Sequence, residues 1–100
     1  AQVTVIEVTV NPGKGHDFHK HPDQEEFILI KYGNLEVWLE KESSILTAGD
    51  SVLVDPGVVH ASFNTSSKPV DVLVVLSPCV GENGYELVDV ADQEPWASLR

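Results

Sequence analysis

Residues 13–26 have the sequence GKGHDFHKHPDQEE, which holds three of the four histidines of this 100-residue chain. His19 and His21 are two residues apart, so on a β-strand their side chains would point to the same face. Two imidazoles would then converge on one point, and a carboxylate a few residues further on could complete the cluster. The stretch therefore predicts either a metal site or, since Pro12 and Pro22 mark bends, a solvated histidine-rich turn.

The remainder of the chain predicts an all-β fold, a sandwich or barrel, because short β-type runs recur between Gly, Pro and Asn turns. We expect Gly33-Asn34 to close a tight hairpin and residues 40–44 to form a polar turn. The predicted strands cover residues 2–10, 16–21, 26–32, 35–39, 45–46, 51–54, 59–64 and 70–76.

The length predicts one domain over residues 1–100. Residues 81–100 form an acidic, weakly patterned C-terminal tail. Within it, residues 85–88 predict an edge strand, and Pro95-Trp96 is expected to fix the chain end against the barrel.

The net charge of −10 and the scattering of the six basic residues argue against nucleic acid as a partner. No apolar run approaches the roughly 20 residues needed to span a bilayer, so a membrane is not expected as a partner either. Cys79 is the only cysteine, which precludes an intrachain disulfide and favours a cytoplasmic location. We expect Cys79 to be a small, half-buried side chain rather than a reactive thiol.

Residues 27–30 and 72–76 are apolar on both faces of their predicted strands. A closed barrel buries only its inner face, so the outer apolar face needs a second cover. In a chain this small the cover is either a terminus or another subunit, and we predict a homodimer.

His60, the fourth histidine, opens another β segment that an antiparallel roll could bring opposite His19 and His21. Three imidazoles and one carboxylate would suit one divalent transition metal ion: Fe, Mn, Ni, Co or Zn. Ca and Mg prefer shells made entirely of oxygen. Because the cluster has no thiolate, we expect an octahedral ion with open positions rather than a closed structural zinc site.

At these residues the chain resembles the cupins, small barrels with two sequence motifs. The first motif is matched over residues 13–33, as Gly13, five residues, His19-Lys-His21, four residues, Glu26, six residues, Gly33. The second is matched over residues 49–64, as Gly49, five residues, Asp55-Pro56-Gly57, two residues, His60, three residues, Asn64. Asp55 stands where the family usually has proline, which changes a turn and no ligand.

The resemblance implies a jelly-roll barrel (a double-stranded β-helix) with four metal ligands: His19, His21, Glu26 and His60. The spacing to Gly33 favours Glu26 over its neighbour Glu25. Asn64 is expected to support a strand end by side-chain hydrogen bonding.

Other residues have expected positions of their own. His16 is expected to be an exposed loop histidine, although it could line the mouth of the site. Tyr32 is expected in the core, whereas Trp38 and Phe63 belong either to the core or to a pocket. The candidates for an apolar inner wall are Ile28, Ile30, Val52, Val54 and Val74.

The resemblance implies a metal-binding protein, and we expect a mononuclear metalloenzyme of the dioxygenase type acting on a small oxygenated organic molecule. The alternatives are a non-catalytic module that binds a metal or small molecule, and an isomerase or lyase of sugars or small acids. Arg100 is the only arginine, so the usual clamp for a sugar phosphate is missing near the site. No catalytic residue and no organic cofactor are assigned.

Overall fold

A computed structural model describes residues 2–81 and 83–100, and nearly all of their regular structure is β-strand. One short 3₁₀-helix, Trp96–Ser98, lies near the chain end. Within these described ranges, no helix is long and apolar enough to cross a membrane. The strands are β1 (Thr4–Val10), β2 (Gly15–Lys20), β3 (Glu25–Tyr32), β4 (Asn34–Leu39), β5 (Glu42–Thr47), β6 (Ser51–Val54), β7 (His60–Phe63), β8 (Val70–Ser77) and β9 (Val88–Asp89).

The strands form two antiparallel sheets that face each other as the walls of a jelly-roll barrel, which confirms the predicted fold. One sheet has the order β1-β8-β3-β6 and the other the order β5-β4-β7-β2-β9. Side chains alternate between the two faces of each strand, so every second residue enters the space between the sheets. The buried apolar side chains there are Ile28, Ile30, Leu35, Val37, Val54, Val70 and Val72.

The predicted hairpin at Gly33-Asn34 is wrong. β3 pairs with β6 and β8, whereas β4 pairs with β5 and β7, so the chain crosses from one sheet to the other at Gly33. Gly33 has a φ of +93°, and a Cβ there would lie 3.0 Å from the Pro69 carbonyl oxygen. The glycine therefore permits a corner of the barrel, not a two-residue turn. Tyr32 beside it is 56% exposed, so the core position predicted for it is also wrong.

The polar turn predicted over residues 40–44 is wrong as well, because β5 already begins at Glu42. Leu39 pairs with Glu42 and Trp38 with Ser43, so the turn contains only Glu40 and Lys41. Main-chain pairing with β4 holds these polar residues in a strand. They show no apolar alternation, which is the sequence signal from which a strand would be predicted.

The tail packs over the outer face of the five-stranded sheet. β9 pairs with β2, so the expected edge strand exists, but it lies at Val88–Asp89 rather than over residues 85–88. As expected of the segment that fixes the chain end, Trp96 packs against an apolar cluster on the outer face of this sheet. The buried members of that outer cluster are Phe18, Val59, Ala61 and Val90, with Trp38, Phe63, Ala91 and Leu99 partly buried around them.

No segment within residues 2–81 and 83–100 covers the outer face of the four-stranded sheet in this way. Val5, Val75, Phe27 and Leu53 lie side by side across its four strands. Val5 is 59% exposed, Leu53 54% and Phe27 37%. The described part of the tail thus covers only the five-stranded sheet, and on the outer face of the other sheet Phe27 of β3 is exposed and Val75 of β8 is half-buried.

Candidate metal centre

The structure brings the four predicted ligands together in the interior of the barrel. His19 lies in β2, His21 directly after it and His60 at the start of β7, and all three belong to the five-stranded sheet side. Glu26 reaches them from β3 in the opposite sheet. All four residues are buried, and their ligand atoms lie within 4.8 Å of one another. Glu25, by contrast, is exposed.

One carboxylate oxygen lies at the centre of this cluster. Glu26 Oε1 is 2.8 Å from His60 Nε2 and 2.9 Å from His21 Nε2. Two donors that each bind one ion at about 2.1 Å, at right angles, are about 3 Å apart. These separations therefore match adjacent positions around a single ion.

The other ring nitrogen of each histidine is fixed by a backbone carbonyl. His19 Nδ1 donates to Asp17 O at 2.7 Å, and His60 Nδ1 to Val58 O at 3.0 Å. His21 Nδ1 donates to Glu86 O at 2.7 Å. Because Nδ1 carries a proton in each case, each ring in its neutral form would present its Nε2 lone pair to the interior of the cluster. Three such lone pairs and one carboxylate form a donor set that fits a divalent transition metal.

Charge and burial act together on these groups. Burial, with the neighbouring His60 and His16 rings, lowers the pKa of His19 to about 3. Burial opposes ionisation of Glu26, but hydrogen bonds from His21 and His60 outweigh it and lower the pKa of Glu26 to about 2. Burial would likewise lower the pKa of His21, yet its bonds to Glu26 and the Glu86 carbonyl raise it. At neutral pH, Glu26 is therefore an anion and His19 a neutral imidazole, which are the ligating forms.

A β-bulge turns His16 into the site. Along the β2–β7 ladder, His16 pairs with Ser62 and His19 with His60, so three residue steps of β2 match two of β7. Without the bulge, residues three apart would face opposite sides of the sheet. Instead the His16 ring stacks on His19, with centroids 3.7 Å apart and planes at 12°. His16 is exposed, as expected, but it lies in strand β2 and not in a loop.

Two adjoining cavities, of about 240 and 190 Å³, meet at the cluster. Both are lined by Val8, His16, His19, Glu26 and Val74. The larger one adds Thr9, Val10, Lys14, Gly15, Ile28, Leu35, His60, Ser62 and Val72. The smaller one adds Ile6, His21, Leu76, Tyr85 and Leu87. A metal ion held by these four residues would be reached from both cavities, which provide space for further groups beside it.

The wall candidates and the aromatic residues divide between the site and the core. Ile28 and Val74 line a cavity, whereas Ile30, Val52 and Val54 pack in the core. Trp38 and Phe63 line neither cavity and contact Phe18 edge-on instead.

Asn64 supports a strand end, as expected. Its Nδ2 donates to Val10 O at 2.8 Å and to Lys68 O at 2.7 Å.

Cys79 is free and half-buried, also as expected.

Gln24 was not singled out from the sequence, yet it holds the tail against the site. It is 2% exposed, and its Nε2 donates to Pro78 O at 2.7 Å and to Gly84 O at 3.1 Å. Its Oε1 accepts from Glu86 N at 3.1 Å. Because Glu86 O is the acceptor of His21 Nδ1, Gln24 positions that histidine through the tail. A buried amide has no periodic signature, so the sequence gives no signal for this role.

Comparison with known proteins agrees with the fold. The family model described as "Cupin domain" matches residues 6–76. The uncharacterized protein YdbB of Bacillus subtilis (strain 168) is 39% identical over 46 residues, which is 45% of this chain and 41% of that protein. Protein SchB of Streptomyces halstedii is 28% identical over 88 residues, 88% of this chain and 64% of that protein. A third relative is a mannose-1-phosphate guanylyltransferase of Salmonella montevideo. The chain spans 41% of the length of YdbB and 16% of the length of this guanylyltransferase.

Solved structures give the same result. A conserved protein with a double-stranded β-helix domain from Klebsiella pneumoniae superposes with a TM-score of 0.75 at 26% identity, covering 88% of this chain and 76% of that one. The DMSP lyase DddQ from Ruegeria pomeroyi has a TM-score of 0.75 at 27% identity, covering 92% of this chain and 45% of that one. An oxalate oxidase, at 22% identity and a TM-score of 0.77, shares the fold. The chain belongs to the cupin family, and it has a buried site of three histidines and one glutamate suited to a divalent metal ion.

Proposed function

We propose that this cupin is a metal-dependent dioxygenase acting on a small oxygenated organic molecule. The observation that carries the proposal is the meeting of two cavities at a cluster with four protein ligands. His19, His21, Glu26 and His60 would hold the ion, and the cavities beside them would admit an oxygen-bearing substrate and O₂. In a dioxygenase both oxygen atoms enter the product and the substrate supplies the electrons, so no external reductant is needed.

A bound divalent transition metal would supply Lewis-acid activation or electron transfer to O₂. Fe, Mn and Ni suit the redox role, whereas Zn suits only the Lewis-acid role. The protein's own contribution is positional. Glu26 supplies one negative charge, the Nδ1 bonds keep the imidazoles oriented, and the apolar walls of the larger cavity limit access by water.

A lyase or isomerase is the second candidate, and one observation favours it. His16 lines both cavities without belonging to the ligand set, so its imidazole is placed to accept a proton from a bound substrate. One structure that this chain resembles is named a DMSP lyase. Such a reaction needs no O₂ and no redox-active metal.

Elemental analysis of protein purified without added metal, followed by O₂-uptake assays, tests the proposal. The substrate panel consists of small diols, diketones, thiols and flavonols, and Glu26→Gln serves as the control that lacks the carboxylate ligand. We expect a redox-active metal and O₂ uptake that the control loses. Zinc with O₂-independent turnover would support the lyase or isomerase instead. A metal with neither turnover nor O₂ uptake would leave a non-catalytic binding module.

We also infer that a second copy of the chain covers the outer face of the four-stranded sheet. The row Val5, Val75, Phe27 and Leu53 contains no charge, whereas a net charge of −10 makes two copies repel over most of their surface. Leu53→Lys should therefore convert a dimer to a monomer in sedimentation experiments. Ile45→Lys, at a position 56% exposed on β5, should leave the dimer intact. A monomeric parent protein, or a dimer that survives Leu53→Lys, would contradict the inference.

A further inference from the structure

Lys14 lines the larger cavity, on the same side of the sheet as the metal cluster. It lies directly before β2, two residues ahead of His16, and His16 lines the same cavity. His16 in turn stacks on His19. Lys14, His16 and His19 therefore form a row that runs along the chain from the solvent-exposed lysine to the buried cluster.

Lys14 places a positive charge at a cavity that has few other charged side chains. Among the described residues that line this cavity, it is the only lysine or arginine, and Glu26 is the only acid. Two of the other basic side chains pair with carboxylates on the outer surface. Lys31 lies 3.7 Å from Glu7, and Arg100 donates to Glu36 at 2.8 Å while it covers the Phe63 ring. A divalent ion balanced by one carboxylate, with Lys14 nearby, gives the cavity a net positive charge in a chain of net charge −10.

The walls between these charges are apolar. Ile28, Leu35, Val72 and Val74 line the cavity alongside Lys14. Its volume of about 240 Å³ is below the roughly 300–1,000 Å³ of pockets that hold drug-sized ligands. The ligand that fits these features is small, has a hydrocarbon or aromatic middle, and carries one anionic group.

We propose that Lys14 selects substrates that are small amphipathic carboxylates, with the carboxylate paired to Lys14 and an oxygen-bearing group directed at the metal cluster. The proposal rests on the proposed function for the role of the metal. A carboxylate is favoured over a phosphate because one lysine supplies one charge and no arginine fork among the described lining residues.

Binding of protocatechuate and of its uncharged amide to the zinc-loaded protein tests this. Both probes carry the same catechol for the metal, so they differ only in the charge at the opposite end. Isothermal titration should show up to about fivefold tighter binding of the acid, the upper range for an ion pair at a solvent-exposed lysine. Lys14→Met should remove that preference, whereas Lys14→Arg and Lys41→Met, the latter in the β4–β5 turn, should retain it.

Equal affinity of the parent protein for the acid and the amide would overturn the proposal, and so would a preference that survives Lys14→Met. Zinc content measured before and after titration ensures that the site stays loaded in each variant. The readout is binding to a redox-inactive form, so it is independent of O₂ chemistry. Selective binding without O₂ uptake by the redox-metal forms would reject the dioxygenase and keep the role of Lys14. O₂ uptake without selective binding would reject the role of Lys14 and keep the dioxygenase.

Discussion

Residues 4–77, the barrel from β1 to β8, supply His19, His21, Glu26 and His60, whereas the described residues of the tail, 81 and 83–100, supply no member of that cluster. The tail contributes around the ligands instead. Its Glu86 carbonyl accepts the Nδ1 proton of His21, and Tyr85 and Leu87 line the smaller cavity. The match to the cupin family model, residues 6–76, covers the barrel and stops before this second contribution.

The difference is visible in how the histidines are held. His19 and His60 are each oriented by the carbonyl two residues earlier in their own segment. His21 is oriented by a carbonyl 65 residues away. The barrel therefore fixes two of its ligands locally, while the third depends on the docking of a segment outside the barrel. Changes to the tail should loosen one ligand and spare the others.

The largest effect is expected inside the barrel. His60→Ala removes a ligand whose Nε2 lies 2.8 Å from Glu26 Oε1, so we expect the bound metal to be lost. His16→Ala is the matched control, because it removes a histidine of the same cavity that is not in the ligand cluster. Elemental analysis should show near-complete loss in the first variant and retention in the second. Equal metal content in both would contradict the assignment of roles.

A smaller effect is expected from the tail. Gln24→Leu removes the hydrogen bonds to Pro78, Gly84 and Glu86, so the carbonyl that orients His21 is no longer held. Loss of such an outer contact typically lowers metal affinity by about 10–100-fold. The unpaired partners should also lower the free energy of unfolding by about 1–3 kcal/mol. Competition with a metal chelator measures the affinity.

Gln93→Leu is the control, since Gln93 is an exposed glutamine of the same tail. It should bind metal as the parent protein does. Unchanged affinity in Gln24→Leu would show that the tail is dispensable for His21.

The smallest effect is a difference between two histidines in the metal-free protein. His19, with a pKa lowered to about 3 from the usual 6.5, resists protonation that the unfolded chain accepts, so its contribution to stability is lost as pH falls from about 6.5 towards 3. His21 has a raised pKa, so its contribution is present below pH 6.5 and is lost as pH rises through the raised value. In an NMR titration towards lower pH, the imidazole proton shifts should show that His21 is protonated at a higher pH than His19.

Gln24→Leu should lower the pKa of His21, because the Glu86 carbonyl helps to raise it, and leave that of His19 unchanged. The reverse order of protonation in the parent protein would contradict the account of how the two rings are held.

The sequence predicts the barrel better than the tail for a physical reason. Strand alternation and glycine-marked turns are local, and the spacing around His19, Glu26 and His60 identifies the family. Long-range contacts leave no such pattern. A β-bulge directs His16 towards the site, and the amide of Gln24 holds the tail. Both depend on contacts between segments far apart in the sequence, so only the folded structure reveals them. The hairpin expected at Gly33 fails similarly, since a positive-φ glycine suits both a turn and a corner between sheets.

The metal content of Glu26→Gln, set beside that of Glu25→Gln, tests the central claim most directly. The two positions are adjacent and lose the same charge, but Glu26 is 8% exposed and lies within the histidine cluster, whereas Glu25 faces solvent. After incubation with excess Fe, Mn, Ni, Co or Zn and desalting, we predict one ion per chain in the parent protein and in Glu25→Gln. Glu26→Gln should retain little of it. Undiminished metal in Glu26→Gln, or none in the parent protein with any of the five ions, would contradict the assignment of a metal centre.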